Sequence, residues 1–432
     1  MTRAPVRPEL IAWARERAGV RDPGDLQGRF PHLAAWEAGE TQPTLKQLEA
    51  FAQAVHVPIG YLFLPEPPQE KLPIPDFRTH DGRGVRRASP DLLDMLYACQ
   101  ERQGWYREFA QTVRMPDVGF VGSASLNDRP KDVAARMAQV LGFDLDARAA
   151  CRTWEEALRQ FIAQADAAGV LVMVSGVVLS NNRRTLDPEE FRGFALADAR
   201  APLVFINGAD TKSGQMFTLA HELAHLWLGA SALSDASAAP LNGYRREEVW
   251  CNAVAAELLV PLDALRSVIE PLEPLDDAMQ RLSRQFKVST LVVLRRLFDA
   301  GALDRAAFDR AWVQERERLR ELAGASAGGG DFYRTTLSRV SRRFARALVE
   351  STLEGQTLYR DAFRMLGVKK TETFNNIGRE VGSWDDPLPA RHEHLHSGTE
   401  PALRLRFLPG VLGMADRPER NRPCRQHRQG GR

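Results

Sequence analysis

The chain has 432 residues, 44% of them hydrophobic and 26% charged, which is the balance of a soluble globular protein long enough for two to four domains. Its 58 basic and 56 acidic side chains leave a net charge of +2, excluding both a strongly basic nucleic-acid coat and an acidic solvating chain. The apolar run Gly169 to Leu179 is too short to span a bilayer, four widely and irregularly spaced cysteines make no disulfide framework, and the N-terminus does not have the pattern of a signal peptide; a cytoplasmic setting without membrane contact is expected.

The first 65 residues are expected to form a string of short helices. Leu10, Ile11, Ala14 and Ala18 give a helical apolar stripe ending near Gly19. Asp25 to Phe30 and His32 to Ala38 predict a second and third helix, the latter closed by Gly39. Thr44 is suited to N-cap a fourth, because its hydroxyl can accept a bond from a free amide of the first turn; that helix is expected to bury Leu45, Leu48, Phe51 and Ala52. Val57 to Leu64 adds a last apolar turn. The prolines from Pro65 to Pro75 fix φ and remove amide donors, which predicts a stiff, extended linker over 66–89.

A long helix follows from about Pro90 to Met115, with Leu92, Leu93, Leu96, Trp105 and Phe109 as its main apolar positions. Helices over Lys131 to Leu141 and Thr153 to Ala168 precede three strands, Val170 to Val178, Gly193 to Ala197 and Leu203 to Asn207, rich in aliphatic or β-branched residues and bounded by polar or glycine-containing turns. Phe217 to Leu228 and Arg246 to Leu259 are helical, the second stopped by Pro261, and three short helices continue to Leu297. The fold class is therefore α+β, mainly helical with a small β-sheet. Residues 90–303 are expected to form the central domain, with a helix and glycine-rich linker at 304–330. A helical C-terminal extension is expected at 331–383, made of one helix from Leu337 to Glu354 and another from Thr357 to Leu366. The first carries arginines (Arg339, Arg342, Arg343, Arg346) on what is expected to be a solvated outer face. Beyond Trp384 apolar periodicity is lost, and 384–432 has the composition of a disordered tail.

The chemistry concentrates in His221-Glu222-Leu223-Ala224-His225. A helix advances 3.6 residues per turn, so two histidines four apart point the same way and can bind one zinc ion. Glu222 lies one residue further round, beside the metal but not on it, where it can take a proton from a water that zinc has acidified. Flanking apolar segments, Met216 to Ala220 and Leu226 to Leu228, make the helical context strong; with nine histidines in the chain, two unrelated histidines on a surface helix are the weaker alternative. A catalytic zinc needs a third protein ligand and an open fourth position. Glu247, Glu248 and Glu257 on the following helix are all candidates. Periodicity favours Glu248 only modestly, through its face-mates Cys251, Asn252 and Ala255. Cys251 is expected to be a small buried packing residue rather than a competing thiolate, while Tyr244 and Asn252 could orient a ligand or polarise a carbonyl. His392, His394 and His396 fall in the tail, where adventitious metal binding is expected.

These motifs, with Gly193-Phe194, Phe205-Ile206-Asn207, Glu248-Val249-Trp250-Cys251-Asn252 and Ala255 to Pro261, resemble the ImmA/IrrE family of metallo-endopeptidases over roughly Val170 to Leu303, with the core motifs in 170–262. The resemblance implies a zincin-like domain and Zn2+ as cofactor. In that family the acid four residues before the asparagine is the third ligand, which implies Glu248 here, with His221 and His225 as the other two and Glu222 as the catalytic base. Family members cleave helix-turn-helix repressors, so the resemblance also implies a protein substrate, a repressor or antitoxin in a stress or mobile-element response.

Leu10 to Leu64 resembles the Xre/Cro-type helix-turn-helix domain, best at Trp36 to Glu40 and Pro43-Thr44-Leu45. Base readout uses Arg, Lys, Asn or Gln, and here only Arg29, His32, Gln42 and Lys46 offer polar or basic contacts. Specific DNA binding is accordingly the weaker expectation. A domain that binds protein or makes a homodimer, or one with phosphate-dominated, salt-sensitive DNA affinity, stands beside it. Two functions from different classes remain: an endopeptidase that cuts a regulator, and a DNA-binding regulator or antitoxin whose peptidase-like domain only senses or binds.

Overall fold

The computed structural model describes residues 3–68, 72–76, 88–234, 246–270, 272–322 and 332–382. The expected glycine-rich linker at Gly324 to Gly330, the tail after Trp384 with His392, His394 and His396, and Tyr244 all lie outside them. No helix among the described residues is long and apolar enough to cross a membrane.

The N-terminal segments are α1 (Pro8–Arg17), a 3-10 turn (Pro23–Leu26), α2 (Leu33–Glu37), α3 (Leu45–Ala54) and a second 3-10 turn (Ile59–Phe63). They enclose their own core of Leu10, Ile11, Phe30, Leu33, Trp36, Leu48 and Phe51. Arg15, almost wholly buried, ties α1 to α2 through Glu37 at 2.7 Å. Thr44 caps α3 in a reciprocal box, accepting from Gln47 N at 3.3 Å while Gln47 Oε1 accepts from Thr44 N at 2.9 Å. Two expectations need correction. Leu45, the first residue of α3, is 51% exposed, and the buried stripe of the helix begins at Leu48. The second segment is a four-residue 3-10 turn, not a helix from Asp25 to Phe30: Pro23 presets its start, Asp22 caps Gly24 N at 2.8 Å, and Gly28 weakens any continuation.

The larger body contains α4 (Pro90–Thr112), α5 (Pro130–Leu141), α6 (Leu145–Ala149), α7 (Trp154–Ala167), β1 (Leu171–Ser175), β2 (Val177–Val178), β3 (Asn181–Thr185), β4 (Gly193–Leu196), β5 (Leu203–Asn207), α8 (Lys212–Leu228) and β6 (Ala232–Ser234). After these come α9 (Arg246–Leu259), α10 (Leu262–Val268), α11 (Leu275–Phe286), α12 (Thr290–Asp299), α13 (Arg305–Leu322), α14 (Phe332–Val340), α15 (Arg342–Leu353), α16 (Tyr359–Leu366) and α17 (Thr371–Glu380). A four-stranded sheet runs β1-β5-β4-β6, parallel between β1 and β5 and antiparallel elsewhere, while β2 and β3 form a separate hairpin.

Side chains alternate across a strand, so each strand feeds both faces of the sheet. Val172, Ala195, Val204 and Ile206 point into a core shared with helices that include α5, α7, α8, α9, α11 and α12. Leu171, Met173, Phe194, Leu196, Leu203 and Phe205 point the other way, into a core completed by α4 and α14 to α17. The C-terminal extension therefore supplies much of the layer that covers the second face. Arg102 of α4, buried, helps anchor it by donating from Nε to Met365 O at 3.1 Å.

Two details of this layer differ from expectation. The predicted helix Leu337 to Glu354 is two helices, broken at Ser341, which sits at φ 71° and caps α15. Its hydroxyl donates to Asp166 Oδ1 at 3.1 Å, so a tertiary contact holds the break. Arg343 correspondingly turns inward instead of lying on a solvated outer face, whereas Arg342 and Arg346 stay exposed. The proline-rich stretch also ends in contact with the sheet. Leu233 N of the edge strand β6 donates to Pro75 O at 3.0 Å, and Ile74 is buried beside it. A proline retains its carbonyl acceptor, which is all that this bond asks of it.

Candidate active site

Helix α8 begins at Thr211, whose hydroxyl accepts from Gly214 N at 3.1 Å, and ends at Gly229 in the left-handed conformation, φ 71°. Between them Gln215 to Trp227 are all buried, the signature of a helix packed on every side. It lies against β4 and β5 on one face and α9 on another. This sandwiching takes His221, Glu222 and His225 wholly out of solvent.

Three donors converge in that interior. His225 Nε2 is 3.1 Å from His221 Nε2 and 3.0 Å from Glu248 Oε1, and His221 Nε2 is 3.3 Å from Glu248 Oε2. Ligands about 2.0–2.1 Å from a common ion in tetrahedral arrangement lie about 3.3 Å apart, so the spacing and the N, N, O donor set both fit zinc. Among the described residues this is the one His/Cys/Asp/Glu group able to hold a metal ion. Of the three glutamates weighed on α9, Glu248 alone enters it. Glu247 is half-buried outside the cluster, and Glu257 is a structural anchor that pairs with buried Arg296 and accepts from Leu262 N at 3.3 Å.

The electrostatics show how closely the three groups are coupled. Burial alone would raise the Glu248 pKa, but the facing imidazoles reverse this and hold it at about 2. Burial likewise opposes charge on His221, and Glu248 outweighs it, raising the His221 pKa. For His225 burial prevails and the pKa is lowered. Asn252, one helical turn beyond Glu248, places its Oδ1 2.9 Å from His221 Nδ1. An amide oxygen can only accept, so Nδ1 carries a proton and Nε2 is the ring atom that faces the other two donors. The sequence by itself does not assign a role to Asn252, although its position four residues after Glu248 puts the two on one helical face. Cys251 is fully buried with its thiol pushed well above its ordinary pKa by burial, and lies outside the donor cluster.

Gly193 has a role that the sequence did not disclose. An ideal Cβ there would lie 2.6 Å from Thr218 Cγ2, 2.8 Å from Phe205 O and 3.2 Å from Glu222 Oε1. The missing side chain is what lets β4 lie directly on the part of α8 that carries Glu222. Gly193→Ala is expected to destabilise the protein by about 1–3 kcal/mol, the usual cost of overpacking, since a backbone carbonyl of β5 cannot swing aside. Denaturant unfolding measures it, and an unchanged midpoint would show that the strand gives way freely.

The N-terminal candidates do not form a comparable cluster. Arg29, His32 and Lys46 are exposed, with Arg29 5.4 Å from the Phe30 ring. Gln42 is half-buried, and its Oε1 accepts from Val6 N at 3.1 Å, which gives it a local structural role.

Fold and site together put a candidate metal-ligand cluster on a His-Glu-x-x-His helix backed by a small mixed sheet. Comparison with known proteins agrees. Residues 165–298, which contain the sheet strands, α8 and α9, match the peptidase family M78 model described as the IrrE N-terminal-like domain. The radiation response metalloprotease IrrE of Deinococcus radiodurans is 32% identical over 96 residues, which cover 21% of this chain and 29% of the relative. The chain thus spans less than a third of that relative's length. These matches support a metallopeptidase-family protein. Residues 340–380 match a family described as a domain of unknown function (DUF8813).

Proposed function

We propose that the protein is a zinc-dependent endopeptidase that cleaves a protein partner, a helix-turn-helix repressor or antitoxin of a stress response. The observation that carries this proposal is the convergence of His221, His225 and Glu248 within 3.0–3.3 Å, with Glu222 on the same buried helix. Zinc held there would polarise a scissile carbonyl and bring the pKa of water towards about 7. The remaining tasks fall to the chain itself. Asn252 fixes the tautomer of His221. Glu222 accepts the proton of the attacking water and delivers it to the leaving amine. Gly193 lets the strand backbone approach Glu222, and closure of α8 between sheet and α9 excludes bulk water. A ligand-only scaffold would have no use for a buried carboxylate at position 222, which favours catalysis over sensing.

The name of the matched relative, a radiation response metalloprotease, supports the stress setting. The N-terminal helical unit is proposed to be an Xre/Cro-like domain that recognises the regulator to be cut. Helix α2 has only five residues and buries Leu33 and Trp36, leaving His32 and Arg29 as the exposed contacts nearby, a modest equipment for base readout. The test is metal analysis of the purified protein, together with incubation against regulators encoded beside it. Cleavage that disappears in His225→Ala and in Glu222→Gln supports the proposal. If the biological output persists in Glu222→Gln and is abolished by substitutions between Arg29 and Lys46, the protein is a DNA-binding regulator instead.

A further inference from the structure

Beyond the metal centre, the seam between the C-terminal extension and the rest of the body forms an open cleft of about 580 Å3, within the range of small-molecule sites. Helix α15 contributes Arg342, Arg343 and Arg346 to its lining, and α4 contributes Tyr106 and Phe109, with Met115 just beyond that helix. Three of the four arginines grouped in the sequence thus line a concavity, which suits a small ligand and not the convex surface of a duplex.

Arg343 is preorganised. Its Nε donates to Tyr106 Oη at 2.8 Å and its Nη1 to Asp166 O at 2.9 Å, which fixes the guanidinium at two points. Arg342 donates to Glu380 O at 2.6 Å and Arg346 Nε to Glu350 Oε1 at 3.0 Å. A guanidinium has five donors, so these bonds leave most of the donors of all three arginines for a ligand. The two acids of the lining are already engaged. Glu350 meets Arg346, and Asp166 accepts from Ser341 Oγ at 3.1 Å and Arg343 N at 3.4 Å. Burial raises the Asp166 pKa, further reducing opposition to an anion. The apolar wall continues the charged one: the Phe109 ring stacks on Trp105 at 5.4 Å and 11°, forming a two-ring platform whose outer member lines the cleft beside Met115.

We infer that this cleft binds a mononucleotide, with its phosphate among Arg342, Arg343 and Arg346 and its base against Phe109 and Met115. Three guanidiniums satisfy a phosphoryl group's oxygens through charge-assisted bonds, and an aromatic platform rewards a planar, apolar-faced base. Because Tyr106 lies on α4, Asp166 on α7 and the arginines on α15, an occupied cleft would tie the extension to both of those helices.

Binding is read without any peptidase assay, by titrating the full chain calorimetrically with each of the four common nucleoside 5′-monophosphates, inorganic phosphate and adenosine. Saturable binding of at least one monophosphate is expected, at least tenfold tighter than inorganic phosphate or adenosine, with a raised Tm. The double variant Arg342→Ala/Arg346→Ala alters exposed side chains and should weaken that binding at least tenfold while leaving far-ultraviolet circular dichroism and metal content unchanged. Phe109→Leu should weaken the monophosphate but not phosphate. Absence of saturable binding, equal affinity for phosphate and monophosphates, or full affinity in the double variant would each overturn the inference.

Discussion

Glu222→Gln is expected to lower peptide-bond hydrolysis by about 10²- to 10⁴-fold, the range over which a positioned general base contributes, without loss of bound metal or fold. The substitution keeps the shape of a side chain that is wholly buried on α8, removes its charge and proton affinity, and exchanges one acceptor oxygen for an NH2 donor. Glu222 is not among the three converging donors, so metal content should equal that of the unaltered protein. The tight packing at Gly193, where a Cβ would lie 3.2 Å from Glu222 Oε1, gives an isosteric amide the same space as the carboxylate. The measurement is the single-turnover rate on a regulator substrate, beside elemental analysis of the same preparation. A variant that retains activity within tenfold of the parent, with full metal, would mean that another group moves the proton and that Glu222 serves packing alone.

What was legible beforehand depended on distance along the chain. His221 and His225 share one helical face by spacing alone, so the zinc helix needed nothing beyond periodicity. The choice of Glu248 over Glu247 and Glu257 required the packing of α9 on α8, a relation between segments that spacing left undecided, and resemblance supplied it. Asn252 and Gly193 lay between these cases. The partner of Asn252 is a histidine 31 residues away. Gly193 works through the absence of a side chain, which no hydrophobic pattern can register. The strands β3 and β6 carry no strand signal in the sequence, because Asn181 to Thr185 is polar and mostly exposed, and Ala232 to Ser234 is only three residues long. The break at Ser341 carries no proline or glycine as a signal. It is held by Asp166, a contact 175 residues away in sequence, and the same tertiary contact region turns Arg343 inward.

Removing the carboxylate of the donor set should act on metal and not on proton transfer. Glu248→Ala is expected to weaken metal affinity by more than about 100-fold, because losing a mere outer partner of a ligand already costs about 10- to 100-fold. Asn252→Ala supplies that milder case: His221 keeps its place in the cluster but loses the acceptor that fixes its tautomer, so a loss of about 10- to 100-fold is expected. The order Glu248→Ala, then Asn252→Ala, then Glu222→Gln with no loss distinguishes ligand, orienting residue and base in a single chelator titration. The pH dependence has a definite sign. In the metal-free protein the raised His221 pKa favours a bound proton, and a ligand must shed it, so metal uptake near neutrality should release protons and affinity should fall on acidification. The depressed Glu248 pKa contributes stability to the metal-free protein that is fully present above the ordinary carboxylate value of 4.5 and is lost as the pH falls toward about 2. In Glu248→Ala both effects should shrink together: His221 loses the neighbour that raises its pKa, and proton release on metal addition fades. If Glu248→Ala binds metal as tightly as the parent protein, with proton release unchanged, the third ligand lies elsewhere in the chain and the assignment of Glu248 is wrong.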